Sequence, residues 1–229
     1  MRSLLCLLSL IALPAPGPAL AAGLNDTGIT SCSDGKNLVA CTAANLGDSA
    51  AYPSQDARYG RDAAQAAGKL PAKIGGGAAG FDFTPLDASG NAIALTGNPP
   101  VPAATPACTR DNVTGLVWEV KTAANMNAPF TWANAAAYAS STNSSGLCGS
   151  HSGWRVPTRR ELLSIVHRGT SYPAIDTYYF PNTASYYYWS SDVSATVPTY
   201  AWVVIFGDGL TYAHYQSHYG HVRLVRSGQ

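Results

Sequence analysis

Glutamate is almost missing from this chain: Glu119 and Glu161 are the only two among 229 residues. All charged side chains together make up 12%, and no two carboxylates stand close enough in sequence to form a hydrolytic acid–base pair. That route to catalysis survives only if Asp176, Asp192 and Asp208 converge in space. The strings G-x-S-x-G, H-E-x-x-H and C-x-x-C are absent, so nucleophile-elbow hydrolases, zincins and dithiol redox sites have no sequence support. Gly75-Gly76-Gly77-Ala78-Ala79-Gly80 lacks the G-K-[ST] ending of a phosphate loop, and Phe81-Asp82-Phe83 follows where a helix should begin; it reads as a close-packed or flexible turn before a strand. No run of eighteen apolar residues occurs, which excludes a spanning helix of ordinary length.

What is present begins with a leader. Arg2 precedes an apolar stretch from Leu4 to Leu13, broken by Pro14, Pro16 and Pro18 and closed by Ala19-Leu20-Ala21; residues 1–21 read as a secretory signal peptide. Cys6 falls inside it and no lipoprotein-type cleavage site follows. Without Arg2 the chain carries thirteen basic and thirteen acidic side chains, a balance that gives no pull toward nucleic acid or anionic membrane. Four cysteines remain, and an even number in an exported chain reads as two disulfides with three pairings open. The short spacing suits Cys32–Cys41 as a local staple, which leaves Cys108–Cys148. Such bridges contribute about 2–4 kcal/mol each. The expected location is secreted, periplasmic or cell-surface.

Composition then divides the mature chain. Residues 22–107 are rich in Ala, Gly and Pro and contain no Trp; they read as an N-terminal accessory region. Phe81–Leu86 and Asn91–Leu95 flank a polar turn as a β-hairpin, and a Pro-rich connection follows. From Cys108 onward the aromatics crowd in. A strand is expected at Leu116–Val120, a helix from Trp132 to about Ser140 with Thr131 as its cap, and a second helix after Thr158. Thr158 and Glu161 form a T-x-x-E capping box, Leu162, Leu163, Ile165 and Val166 supply the buried side, and Gly169 is the expected stop. Strands follow at 186–191, 200–206 and 210–215, the last two around Gly207-Asp208-Gly209, with a closing strand at 221–226. Two helices early and an antiparallel sheet late make an α+β domain.

Several spaced segments then resemble one family. They are Asp111-Asn112-Val113-Thr114-Gly115-Leu116-Val117-Trp118-Glu119, Thr131-Trp132-Ala133, Trp154-Arg155-Val156-Pro157-Thr158 with Glu161-Leu162, Tyr188-Trp189-Ser190-Ser191, Ala201-Trp202 and Val222-Arg223-Leu224-Val225-Arg226. Together they are similar to the Lcl C-terminal domain family, over residues 108–227. The resemblance implies an exported bacterial protein, a fold related to C-type lectin-like domains and formylglycine-generating enzymes, and extracellular binding to glycans. Trp189-Ser190-Ser191-Asp192 lacks the Asn of the calcium-lectin W-N-D motif, so calcium-dependent sugar binding does not carry over. Formylglycine-type chemistry needs reactive cysteines, and only Cys148 lies past residue 110.

The candidate ligand-binding residues are Tyr187, Tyr188, Trp189, Tyr212, Tyr215 and Arg223, drawn from an aromatic cluster that also includes Tyr186 and Tyr219. Tyrosine faces stack on sugar rings at low ordering cost; the competing reading is that these residues are core, since Tyr187 and Tyr188 must point to opposite faces of a strand. His214, His218 and His221 have a spacing that can hold a metal only if the chain gathers them, and ordinary surface histidines are the favoured reading, so no metal site and no cofactor is expected. Arg155 is expected to tie strands together through carbonyls. The function expected is a non-enzymatic binding module for an extracellular glycan or surface protein, without nucleic-acid binding or membrane insertion; homo-oligomerisation stays open. The alternatives are a structural component of an envelope or appendage assembly and, behind it, an enzyme of formylglycine-generating-enzyme-like fold.

Overall fold

The computed structural model describes residues 25–34, 37–41 and 55–228; the expected leader, residues 1–21, lies outside them. Short elements come first: β1 (Cys32–Ser33) pairs antiparallel with β2 (Leu38–Val39), followed by α1 (Asp56–Tyr59) and α2 (Arg61–Ala66). β3 (Phe83–Leu86) is next, and β4 (Leu95–Thr96) pairs with β5 (Val101–Pro102). The hairpin expected across 81–95 forms only next to its turn, where the Asp87 amide donates to the Asn91 carbonyl and the Ile93 amide to the Pro85 carbonyl. Its turn forms, the Asp87 carboxylate accepting from the amides of Ser89 and Asn91, but Leu86 meets Ala92 through an isolated bridge only. β3 pairs instead with β6 (Cys108–Asp111), in register from Phe83 opposite Asp111 to Leu86 opposite Cys108. Phe83 and Leu86 are fully buried, whereas Asn91 and Ala92 are exposed, so the chain beyond the turn has no face with which to hold a strand.

One four-stranded antiparallel sheet runs β11 (Val225–Ser227), β7 (Leu116–Glu119), β6, β3. A second, three-stranded, runs β10 (Thr211–Tyr215), β9 (Tyr200–Ile205), β8 (Tyr187–Val193). The single late sheet expected from the sequence is thus two sheets, because the closing strand returns to β7, with Val225 opposite Trp118. Arg155 bridges Val225 from the other side. With two helices in the same stretch the architecture is α+β. Both disulfides link as expected, Cys32 to Cys41 and Cys108 to Cys148; such cross-links fit an oxidising compartment. No helix among the described residues is long and apolar enough to cross a membrane.

α3 spans Trp132–Ser145, longer than its expected end at Ser140, and buries Ala135, Ala139 and Thr142. The i, i+4, i+7 spacing explains the stripe. α4 is only Arg159–Leu163, and its capping box is complete: Thr158 Oγ1 accepts from the Glu161 amide at 3.2 Å and Glu161 Oε2 accepts from the Thr158 amide at 2.8 Å. It stops well before Gly169, so His167 and Arg168 are not in its last turn. The His167 amide donates to Ala174 and the Arg168 amide to Thr27, partners outside the helix that draw the chain away. Arg155 grips no strand carbonyl across the sheet; its guanidinium closes on both Glu161 oxygens at 2.8 and 2.6 Å.

Strand pleating decides what packs where. Tyr188, Val204 and Phe206 join one buried cluster with Phe81, Phe83, Trp118, Leu162 and Val225. Tyr187, Trp189, Ala201 and Val203 join another with Ala135, Ala139, Trp154 and Leu224. β8 and β9 therefore have a core on each side, and β10 is the edge strand of their sheet.

Candidate functional site

The edge strand β10 carries alternating residues that part to two sides. Tyr212 and His214, two apart, share the side that holds Tyr187 and Trp189. The His214 ring sits edge-on to Tyr187 at 4.8 Å, tilts to Tyr212 at 5.5 Å and stacks toward Trp189 at 6.2 Å. Tyr215 points the other way, its ring 4.2 Å from its cross-strand partner Tyr200. The turn after β10 then brings His218 back against both His214, at 4.7 Å between rings, and Tyr215, at 5.5 Å. On the far flank Tyr186 lies 4.4 Å from Tyr187.

Three of these tyrosine rings are open to solvent: Tyr186, Tyr212 and Tyr215 are 50%, 38% and 49% exposed. The patch rests on a fixed base. Tyr187 donates its hydroxyl to the Tyr219 carbonyl at 2.5 Å, and a Cβ on Gly220 would overlap the Tyr187 ring, so only glycine lets the turn close over it. Burial, then the neighbouring Tyr186 hydroxyl, pushes the Tyr187 phenol above its ordinary value. Burial also raises Tyr212. Both therefore stay neutral at physiological pH and present hydroxyls that donate as well as accept. His214 is held below the usual imidazole value, first by burial and then by His218.

Of the six candidate ligand residues, Tyr212 lies on this patch and Tyr187 forms its base, while Tyr215 sits on the other side of β10 and meets the patch only through His218. Tyr188, Trp189 and Arg223 belong elsewhere: each has no exposed surface, and no ligand on the face reaches them. Tyr188 faces the opposite core because it follows Tyr187 on a pleated strand. Trp189 shares the Tyr187 side but lies beneath His214 and donates its indole N–H to the Phe130 carbonyl at 2.9 Å. Arg223 is an interior cation. Its guanidinium donates to the Glu119 carbonyl at 2.8 Å and to Thr183 Oγ1 at 2.7 Å, and lies over the rings of Phe180 and Tyr188.

The histidines part company as well. His221 packs against Tyr188 at 5.2 Å and Tyr186 at 5.6 Å, whereas His214 meets Tyr187 and Trp189, so β8 separates them. Among the described residues no group of three or more His, Cys, Asp or Glu is placed to hold a metal ion.

A buried polar network stands behind the face. Glu119 Oε1 accepts from Lys121 Nζ at 2.8 Å and from the Tyr138 hydroxyl, and Oε2 accepts from the Leu224 amide at 2.9 Å. Burial lowers the Lys121 ammonium from its ordinary value, with Glu119 opposing. The sequence signal for this network is two opposite charges two apart, Glu119 at the end of β7 and Lys121 just past it. The glycine-rich turn is pinned by aspartates: Asp82 accepts from the Ile74 and Gly75 amides, and Asp176 accepts from the Ala78 amide. Lys73 closes it by donating to the carbonyls of Gly77 and Ala79. Asp176 is thereby occupied with backbone, Asp192 accepts from the Arg159 amide at 2.6 Å and Asp208 from the Leu210 amide at 3.0 Å; each serves a different turn, and they do not converge.

Two grooves lie apart from the aromatic face. One, of about 530 Å³, runs between α3 and the segment before α4, with Ala136, Ser140, Trp154 and Arg155 on its walls. The other, of about 630 Å³, brings Asp26, Thr114, Arg160 and Arg168 together.

No curated protein matches the chain. The model of the Lcl C-terminal domain family matches residues 107–226, a span that contains β6 through most of β11, α3, α4 and every residue of the aromatic face. That match covers more than half of the sequence, and the chain belongs to the Lcl C-terminal domain family.

Proposed function

We propose that this protein is a non-enzymatic binding module of C-type-lectin-like fold that takes carbohydrate on the aromatic edge of β10. The observation that carries the reading is the pair of exposed tyrosines, Tyr186 and Tyr212, set against a buried Tyr187 and the half-buried His214. Tyrosine rings are rigid, flat and amphipathic, so they contact the apolar faces of pyranose rings and hydrogen-bond their hydroxyls with little ordering cost. An exposed apolar patch on an otherwise polar surface is itself a mark of recognition. The Cys108–Cys148 disulfide, in the same cluster as Tyr187 and Trp189, and a strand with cores on both sides hold the rings in place. All four cysteines in the described residues are paired, which weighs against thiol chemistry of the formylglycine-generating kind.

A glycan array probed with the full exported chain tests the reading. Retained binding to a defined subset of oligosaccharides, lost in Tyr212→Ala and in Tyr186→Ala but kept in Tyr172→Ala, is the expected result. Silence on the array with a co-purifying protein bound through the same tyrosines would favour a structural role in an envelope or appendage assembly.

A further inference from the structure

From the side chains of the β10 edge we infer that His214 and His218 form a two-imidazole site for a divalent transition-metal ion of the zinc, nickel or copper type. Nε2 of His214 and Nδ1 of His218 face each other at 3.2 Å. With metal–nitrogen bonds of about 2.0–2.1 Å, two nitrogens on one tetrahedral ion stand roughly 3.3–3.4 Å apart, and two cis nitrogens on an octahedral ion about 2.9 Å. The observed spacing falls inside that interval, so one ion fits both rings with little movement. Ring geometry helps: the two imidazoles stand at 83° to each other, and His214 is fixed on three sides by Tyr187, Tyr212 and Trp189. His218 is exposed and hinges on the turn after β10, free to adjust its lone pair toward the ion. Imidazole nitrogen is a donor suited to zinc, copper and nickel rather than to calcium or magnesium.

In the metal-free pair one ring nitrogen donates its proton to the other. Ligation needs both facing nitrogens unprotonated, so that proton moves to the outer nitrogen of the same ring and no net charge is released from a neutral pair. His221 takes no part, being packed on Tyr188 across the strand. Two protein ligands leave further coordination positions to solvent on the exposed side of His218, open to a water or to an oxygen donor of whatever docks there. The site does not depend on what the tyrosine face binds.

The test is calorimetric titration of the chelator-treated full chain with zinc chloride at neutral pH, repeated on His218→Ala, His214→Ala and His221→Ala. Wild type and His221→Ala should each take up one equivalent. His218→Ala should bind at least about tenfold more weakly, since even losing a residue that merely orients a ligand costs 10–100-fold. His218 is exposed and replacing it leaves the fold intact, so its result stands even if His214→Ala is destabilised. The proposal is overturned if wild type shows no stoichiometric uptake, if His218→Ala binds as wild type does, or if His221→Ala loses the ion.

Discussion

Removing the Glu119 carboxylate should be among the most destabilising single changes available in this protein. Its side chain is 3% exposed and that of Lys121 is 2% exposed, so neither charge has water to fall back on. Glu119→Ala removes the charged partner of the Lys121 ammonium, which keeps only a 3.3 Å contact to the Tyr138 hydroxyl among these groups, and strands the Leu224 amide, and it leaves Arg223 as a second buried cation nearby. Breaking a buried ion pair from one side costs about 3–5 kcal/mol. With a urea slope of roughly 2 kcal/mol per molar for a protein of this size, the unfolding midpoint should fall by about 1.5–2.5 M. The assay is equilibrium urea unfolding under non-reducing conditions, so that both disulfides persist. Lys121→Met placed on top of Glu119→Gln should then restore part of the loss, with a coupling of about 0.5–3 kcal/mol. A loss under about 1 kcal/mol in Glu119→Ala, or strict additivity in the double variant, would refute the claim that the pair is interdependent and dry.

Two further outcomes follow from the same contacts. His167 is held below the usual imidazole value by burial, with Asp176 and Asp26 opposing, and its Nδ1 accepts from the Gly169 amide at 3.0 Å. The unfolded chain takes up its proton near pH 6.5 and the folded one only at lower pH, so stability should be flat above pH 6.5 and decline below it; thermal melts from pH 7.5 to 5 check this, and His167→Gln should reduce the slope. Gly220→Ala should cost about 1–3 kcal/mol by forcing the Tyr187 ring to shift and should weaken glycan binding; an unchanged melting temperature with unchanged binding would contradict the packing argument.

Local chemistry was the part most legible in the sequence. The Thr158–Glu161 box needs only four residues to specify itself, and it forms as expected. The cysteine pairing also followed from spacing, and the glycine-rich turn from what it lacked. Pairing at long range was not legible. Nothing near Phe83 says that its partner is Asp111 rather than the chain just past its own turn; burial of Phe83 against Tyr179 and Phe180, and of Leu86 in the cluster that holds Cys108 and Val117, decides it. The same gap affected the site. Alternation along β8 told that Tyr187 and Tyr188 diverge, but not that β8 has a core on both sides, which is what removes Tyr188 and Trp189 from any surface. Arg223, expected to meet a ligand, is interior because the closing strand returns to β7 and carries it onto Glu119. The spacing of His214, His218 and His221 was legible, but not that the turn after β10 returns His218 to His214 while His221 lies on the other side of β8.

The most direct test of the tyrosine face is residue-resolved. Aromatic carbon–proton NMR spectra would be recorded during titration with an oligosaccharide selected on the array. The account predicts shifts at Tyr186 and Tyr212, with Tyr172 and Tyr178 unmoved. Shifts centred instead on Trp132 and Trp154, along the groove beside α3, would contradict it.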